Sequence, residues 1–416
     1  MWGNLGISLL GPVGAIFVYR PGMSFTAALV ATVVGTLIGT VLVALAALAG
    51  ARTGRPAMVM LRGLFGARLS YVPTVLNVVQ LFGWATFELL VISAALSQLL
   101  PWHARWAYVI VAGVLTTVMA IWPLGAVRML RRYALIAVLA SMVYLFIQLA
   151  RHPIAPLFSG SWSGFWAATD VLVAVAVSWI PLAADYSRHS RNERAAFGGA
   201  LVGYSVTQIA CYALGLLAFA TVVTATDSQD VAQHNLFAAF IAVPVGWLAF
   251  GVLIARELDE SFANVYSTVM SVQNLRPLAD RRVMAVVVGA LTTGLALLLN
   301  IGDYASFLYL LGSTFVPMFA VFVVRYFVRG GHKSWDTSAT AAARWSLLVP
   351  WLLGFVAYQL VNPGSLGWWV RFWGHVQSWL HFHPQSWMSA SVLSFAVAFV
   401  ATLLIPTRVP ARRAAS

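Results

Sequence analysis

The sequence predicts an all-α polytopic membrane protein of twelve transmembrane helices, and three observations carry that prediction. Of 416 residues 61% are hydrophobic and only 9% are charged, the apolar residues come in long runs such as "LIAVLASMVYLFIQLA" (135–150), and the basic residues alternate between loops. A bilayer core of about 30 Å takes roughly 20 apolar residues per helix. Many runs reach that length, far more than a soluble core would need. They lack the two-residue alternation of a transmembrane barrel, so helices are the spans that pair every backbone N–H and C=O in lipid.

The spans are read at 2–19, 25–49, 71–99, 106–122, 133–150, 165–182, 196–224, 244–272, 284–300, 304–327, 345–361 and 388–405. The first, "WGNLGISLLGPVGAIFV", has no basic start and no cleavage site, and many spans follow it, so it reads as a helix and not a signal peptide. Alternate loops collect Arg52, Arg55, Arg62 and Arg68; Arg128, Arg131 and Arg132; Arg188, Arg191 and Arg194; Arg276, Arg281 and Arg282; and Arg325, Arg329, Lys333 and Arg344. Arg408, Arg412 and Arg413 follow in the tail. The intervening loops hold only Arg20, Arg105, Arg151 and Arg371. By the positive-inside rule both termini are cytoplasmic, in a plasma (inner) membrane protein. The net charge of +13 is thus a topology signal, compatible with contacts to anionic lipid, and nucleic acid is not an expected partner. Cys211 is the lone cysteine, so no intramolecular disulfide can form.

Two spans are interrupted. The first carries "LLGPVGA" (Leu9–Ala15), where Pro12 removes a donor and Gly11 and Gly14 loosen the backbone; the sixth carries "SWIPLAADYSR" (178–188), with Pro181 in a comparable place. Broken helices at corresponding positions of two halves point to a transporter site, with spans 1–5 and 6–10 as inverted repeats. Simple proline kinks are the alternative.

Polar side chains inside spans sharpen the site. Asn77, Gln80, Trp84 and Glu88 share one face of span 3. An unpaired carboxylate at mid-membrane costs at least ~2.5–3.5 kcal/mol, so Glu88 must face the bundle interior or a wet cavity. With Trp84 one turn away, it suits a planar heterocycle bearing N–H donors; a Glu paired to another helix for packing is the other reading. In span 8, Arg256, Glu257, Glu260, Ser261, Asn264, Ser267, Thr268 and Ser271 form a polar stripe opposite Leu258, Phe262, Val265, Tyr266, Val269 and Met270. Asp259 falls on the apolar half. Arg256 and Glu260 are an i, i+4 pair that can neutralise each other, which leaves Glu257 and Asp259 without a local partner. If span 8 ended near 254, these charges would instead be a solvated loop.

At these residues the chain resembles the nucleobase-cation symporter 1 family, the purine-cytosine and allantoin permeases. The resemblance runs through "WGNLGISLLGPVGA", "GRPAMVMLRGLFG" (54–66), "FGWATFE", "ADYSR" (184–188), "DESFANVYSTVMSVQN" (259–274) and "FLYLLGSTFVPMFAVFVVRYF" (307–327). It implies a LeuT-like five-plus-five inverted repeat, 1–155 and 156–328, with two extra helices and the tail in 329–416. It also implies alternating access, and a substrate ring held between Trp84 and Trp179 with Glu88, Asn264 and Gln80 on its edge. The coupling ion, sodium or a proton, is expected among Leu10, Val13, Ala255, Asp259 and Glu260. Here Leu258 and Asp259 stand where relatives have hydroxyls, which makes sodium and proton coupling open alternatives. Relatives carry a cytoplasmic segment before span 1, whereas this chain starts at Met1–Trp2, so a mis-assigned or shortened start is expected.

A carboxylate at 88 favours cytosine, a purine such as adenine, or a hydroxymethylpyrimidine over allantoin-, hydantoin- or uracil-like rings. No other cofactor, no metal site beyond one for sodium and no obligate protein partner are expected. A membrane-embedded enzyme would need clustered ligands or acid–base groups, and the only histidine pair, His381 and His383, lies in the last external loop beside Trp379 and Trp387. A passive channel would need neither two broken helices nor a ring-sized aromatic pair.

Overall fold

The computed structural model describes residues 1–406 except 103, 123–126, 155, 224–227, 276–277 and 331–334, and the described residues form α-helices with no strand. Arg276, Lys333, Arg408, Arg412 and Arg413 of the basic pattern lie outside them. The order is α1 (Trp2–Leu5), α2 (Leu10–Val18), α3 (Phe25–Thr53), α4 (Ala57–Phe65), α5 (Tyr71–Leu99), α6 (Arg105–Ile121), α7 (Val127–Leu149), α8 (Phe165–Val177), α9 (Ile180–Ser187) and α10 (Glu193–Thr221). Then come α11 (Gln229–Ala242), α12 (Gly246–Leu275), α13 (Arg281–Leu298), α14 (Gly302–Val323, ending in a π turn), α15 (Leu348–Val361), α16 (Gly367–Trp379) and α17 (Ala390–Leu404).

Both expected breaks are present, and both lie just before the proline. Span 1 unwinds over Gly6–Leu9, and Pro12 is the third residue of α2. Span 6 unwinds at Ser178–Trp179 with a bend of 40°, and Pro181 is the second residue of α9. The first N–H groups of a helix have no intrahelical partner, so proline costs nothing there, while its ring disfavours a continuous helix through the preceding turn. This corrects the expected break at Leu10–Val13, since both residues are helical. Gly11 and Gly14 serve close packing instead of loosening the backbone. A Cβ at Gly11 would lie 2.5 Å from that of Cys211, and one at Gly14 would lie 2.5 Å from the Tyr212 hydroxyl.

Small residues build two tight pairs. The α1/α2 span packs on α10, where a Cβ at Gly215 would reach within 2.3 Å of the Pro12 carbonyl. The α8/α9 span packs on α3 through Gly35, Gly39 and Gly50, with α3 and α10 also in contact. Small residues at such faces let backbones approach where lipid supplies no hydrophobic drive. A second group is α5, α6, α12 and α13, whose shared core holds Ala85, Ala120, Phe262, Val265, Val269 and Val288. The apolar half of span 8 therefore faces its own group and the polar stripe is left for the other. Helix α12 runs unbroken through the charges, so these are not a solvated loop.

Outward-facing side chains such as Val79, Val111, Leu115, Val143, Val206, Val287 and Leu352 are exposed and apolar, the surface a bilayer covers. Five described helices, α3, α5, α10, α13 and α14, are long and apolar enough to cross a membrane, and the bent α8/α9 pair makes a sixth. Helices α6, α15 and α17 are apolar but shorter, and α12 carries charges at its centre. Three helices lie in segments read as loops: α4, α11 and α16. The first turn of α4 is held by Asp185 of the "ADYSR" stretch, which accepts from the Ala57 N–H at 3.1 Å.

One buried carboxylate went unnoticed in the sequence. Asp170 on α8 accepts from Ser389 Oγ at 2.6 Å and from the Ala390 and Ser391 N–H groups at 2.8 and 3.0 Å, which caps the amide end of α17. Carboxylates are stabilised there by the helix dipole. Asp170→Ala orphans two backbone donors and a hydroxyl and is expected to cost of order 2–4 kcal/mol. Thermal unfolding in detergent, followed by tryptophan fluorescence, should show a lower midpoint, with Asp170→Asn in between; an unchanged midpoint would refute the clamp.

Candidate functional site

Where the two breaks face α5 and α12, a cavity of about 60 Å³ lies between the helix groups. It is small beside the ~300–1,000 Å³ pockets of drug-sized ligands, so its ligand is small. Gln80, Trp84 and Glu88 line it from α5, Ser178 and Trp179 from the span-6 break, Leu10 from α2, Gln208 and Tyr212 from α10, and Glu260 and Asn264 from α12. All five expected substrate residues thus meet in one place. Of the expected coupling residues, Leu10 and Glu260 line the cavity; Val13, Ala255 and Asp259 do not, and Ala255 is exposed.

The hydrogen bonds decide what the cavity presents. Asn264 Nδ2 donates to Glu88 Oε1 at 2.8 Å, and Glu88 Oε2 is buried with no partner among the described residues. Gln80 Nε2 donates to Asn77 Oδ1 and to the Ser178 carbonyl, each at 2.8 Å. Gln208 Nε2 donates to Thr36 Oγ1 at 3.2 Å and the Leu172 carbonyl at 3.1 Å. A carbonyl can only accept, so both amides are fixed nitrogen-end to the protein. Their Oε1 atoms are buried and have no partner among the described residues. The site therefore has a surplus of acceptors, and the ligand that satisfies it brings N–H donors.

The aromatic walls are held rigidly. Trp84 meets Tyr304 and Phe307 edge to face, with centroids 5.9 and 5.3 Å apart. Trp179 donates its indole N–H to Tyr204 Oη at 2.9 Å. These contacts set the rings without using their faces as hydrogen-bonding surface.

On α12, Arg256 pairs with Glu260 and, at 3.3 Å, with Asp259. Glu257, which the sequence left without a partner, reaches the span-1 break. It accepts from the Leu9 N–H at 2.6 Å and from Ser8 Oγ at 3.0 Å. Helical spacing puts Glu257, Glu260 and Asn264 on one stripe, so its direction was readable. Its partner was not, because the break fell one turn earlier than the prolines suggested.

Two unwound spans facing a shared cavity at the junction of two helix groups define a secondary transporter. The chain belongs to the family of permeases for cytosine/purines, uracil, thiamine and allantoin, whose family model matches residues 7–346. Among solved structures it resembles Mhp1, a nucleobase-cation-symport-1 family transporter. Against the closed form with bromovinylhydantoin bound, identity is 18% over 97% of this chain and 89% of that one, with a TM-score of 0.68. Against inward-facing Mhp1, identity is 16% over 97% and 87%, with a TM-score of 0.71. A sodium-coupled sialic acid symporter in an outward-open state matches at 13% identity over 95% and 90%, with a TM-score of 0.59. These likenesses show the shared LeuT-like fold expected from the sequence. No curated protein matches the chain by sequence.

Proposed function

We propose that this protein imports a nucleobase or related aminopyrimidine across the plasma (inner) membrane by cation symport with alternating access, with both termini cytoplasmic. The observation that carries the substrate class is the buried Glu88 Oε2, which with two glutamine oxygens has no partner among the described residues, in the cavity that Trp84 and Trp179 line. An amino group and a ring N–H fill those acceptors, while the indole faces take the ring.

Each half, 1–155 and 156–328, contributes helices to both groups, and the groups are the moving parts. The ring touches both helix groups, so it binds best when they close on it, and that differential affinity is what drives closure. A carbonyl-rich ring is the second reading, because Mhp1 is seen with bromovinylhydantoin. Uptake of labelled cytosine in proteoliposomes, competed by hydroxymethylpyrimidine, adenine, uracil and allantoin, separates the two. Cytosine, adenine or hydroxymethylpyrimidine should compete at least about tenfold better than uracil or allantoin, the worth of one charge-assisted hydrogen bond. A preference for uracil would overturn the assignment.

A further inference from the structure

Two neighbouring charges on α12 make contacts that substrate binding does not use. Arg256 Nη2 donates to the Asn4 carbonyl at 2.9 Å, at the carbonyl end of α1. Glu257 binds the Leu9 N–H and Ser8 Oγ, at the amide end of α2. Helices carry partial negative charge at the first kind of end and partial positive at the second. The two side chains are therefore matched in sign to the two ends of the span-1 break. Arg256 is 7% exposed and Glu257 0%, so water does little for either.

A sodium ion needs oxygen lone pairs. At this break the Asn4 carbonyl is taken by a guanidinium, and the Leu9 and Leu10 amides direct donors at Glu257 and at Ser8 Oγ. Glu257 and Ser8 offer oxygen lone pairs, but a guanidinium and two amide N–H groups already bring positive ends to the break, which favours a proton over sodium there. We propose that Arg256 is the fixed cation of the break and Glu257 the site of a coupling proton, so that transport runs on protons without sodium. This rests on the transporter reading above.

Geometry singles out Glu257 among the carboxylates. Asp259 and Glu260 lie against Arg256, and Glu88 against Asn264 and the substrate position. Glu257 has neutral donors as its hydrogen-bond partners, and it bonds across to the other helix group. Glu88 on α5, Cys211 on α10, Tyr304 on α14, and Arg256 and Glu260 on its own helix are the titratable and charged groups within electrostatic reach. A proton taken up on one carboxylate oxygen turns that oxygen into a donor to Ser8 Oγ, while the other still accepts from Leu9. The proton leaves on the opposite side, and no bond in the substrate changes. The anion ties α12 to the positive end of α2 by charge as well as by hydrogen bonds; the neutral acid keeps the bonds and loses the charge attraction, and that weaker tie links proton occupancy to the relative position of the two groups.

The test uses the full chain in proteoliposomes and in detergent, comparing wild type, Glu257→Gln and Glu257→Asp. With labelled cytosine, wild type should accumulate substrate under an inward proton gradient equally in sodium and in choline buffers. Glu257→Gln should still exchange label in counterflow but lose gradient-driven accumulation, and Glu257→Asp should regain part of it. Sodium-dependent uptake at constant pH, or full proton-driven accumulation by Glu257→Gln, would overturn the proposal. A protein that exchanges none of the probe rings refutes the substrate reading alone, and thermal unfolding then decides the ion. Replacing choline by sodium should leave the wild-type midpoint unmoved, and the pH dependence of the midpoint should flatten in Glu257→Gln. A midpoint raised by sodium, or the same pH dependence in both proteins, would sink the proposal.

Discussion

Glu88→Gln is expected to weaken binding of an aminopyrimidine by about ten- to a hundredfold, the largest effect of any conservative change in the cavity. Burial leaves Glu88 at 4% exposed, with one oxygen on Asn264 and the other unpartnered. Hydrogen bonds to a charged group contribute roughly 1.5–3 kcal/mol, about twice a neutral one. The amide keeps shape and volume but loses the charge, and it presents a donor where an acceptor is needed. Trp84→Phe keeps a flat apolar face and should lose far less. Inhibition constants for unlabelled cytosine against labelled cytosine uptake, measured on both variants, give the comparison. If Glu88→Gln matched wild type, Glu88 would have to be removed from the site. Asn264→Ala should fall between them, since it deprives Glu88 Oε1 of its donor without touching the charge.

The parts of this structure that follow from periodicity were legible in the sequence. Gln80, Trp84 and Glu88 sit on one face at helical spacing, and a charged stripe on span 8 must face something polar, so their convergence on the two broken spans follows from the cost of burying charge in lipid. What periodicity does not encode is tertiary. Asp170 drew no reading from the sequence, because its partners at 389–391 are more than two hundred positions away. The break in span 1 was placed at its proline, whereas proline marks where the second half-helix begins. Glu257, on the polar stripe of α12, reaches the unwound backbone there. Helices α4, α11 and α16 lack the length of a span, and their sequences read as loops.

Arg256→Met should cost about 3–5 kcal/mol and keep most of the protein from accumulating in the membrane, through charge rather than volume. Arg256 stands against both Asp259 and Glu260, and Glu260 is itself only 5% exposed. Breaking a buried pair by removing one partner strands the other charge, which is worse than having no pair at all. Arg256→Met also strips the cation from the carbonyl end of α1, at Asn4. The paired variant Arg256→Met with Glu260→Met separates these two losses. An apolar pair of similar volume is often neutral or stabilising, so the thermal midpoint should recover most of the single-variant loss. Uptake should stay impaired, because the break at Gly6–Leu9 still lacks its fixed cation. A double variant no more stable than the single one would mean that the α1 contact, not the ion pair, dominates. A single variant as stable as wild type would mean that these charges are solvated, and the polar stripe on α12 would then owe nothing to compensation within the bundle.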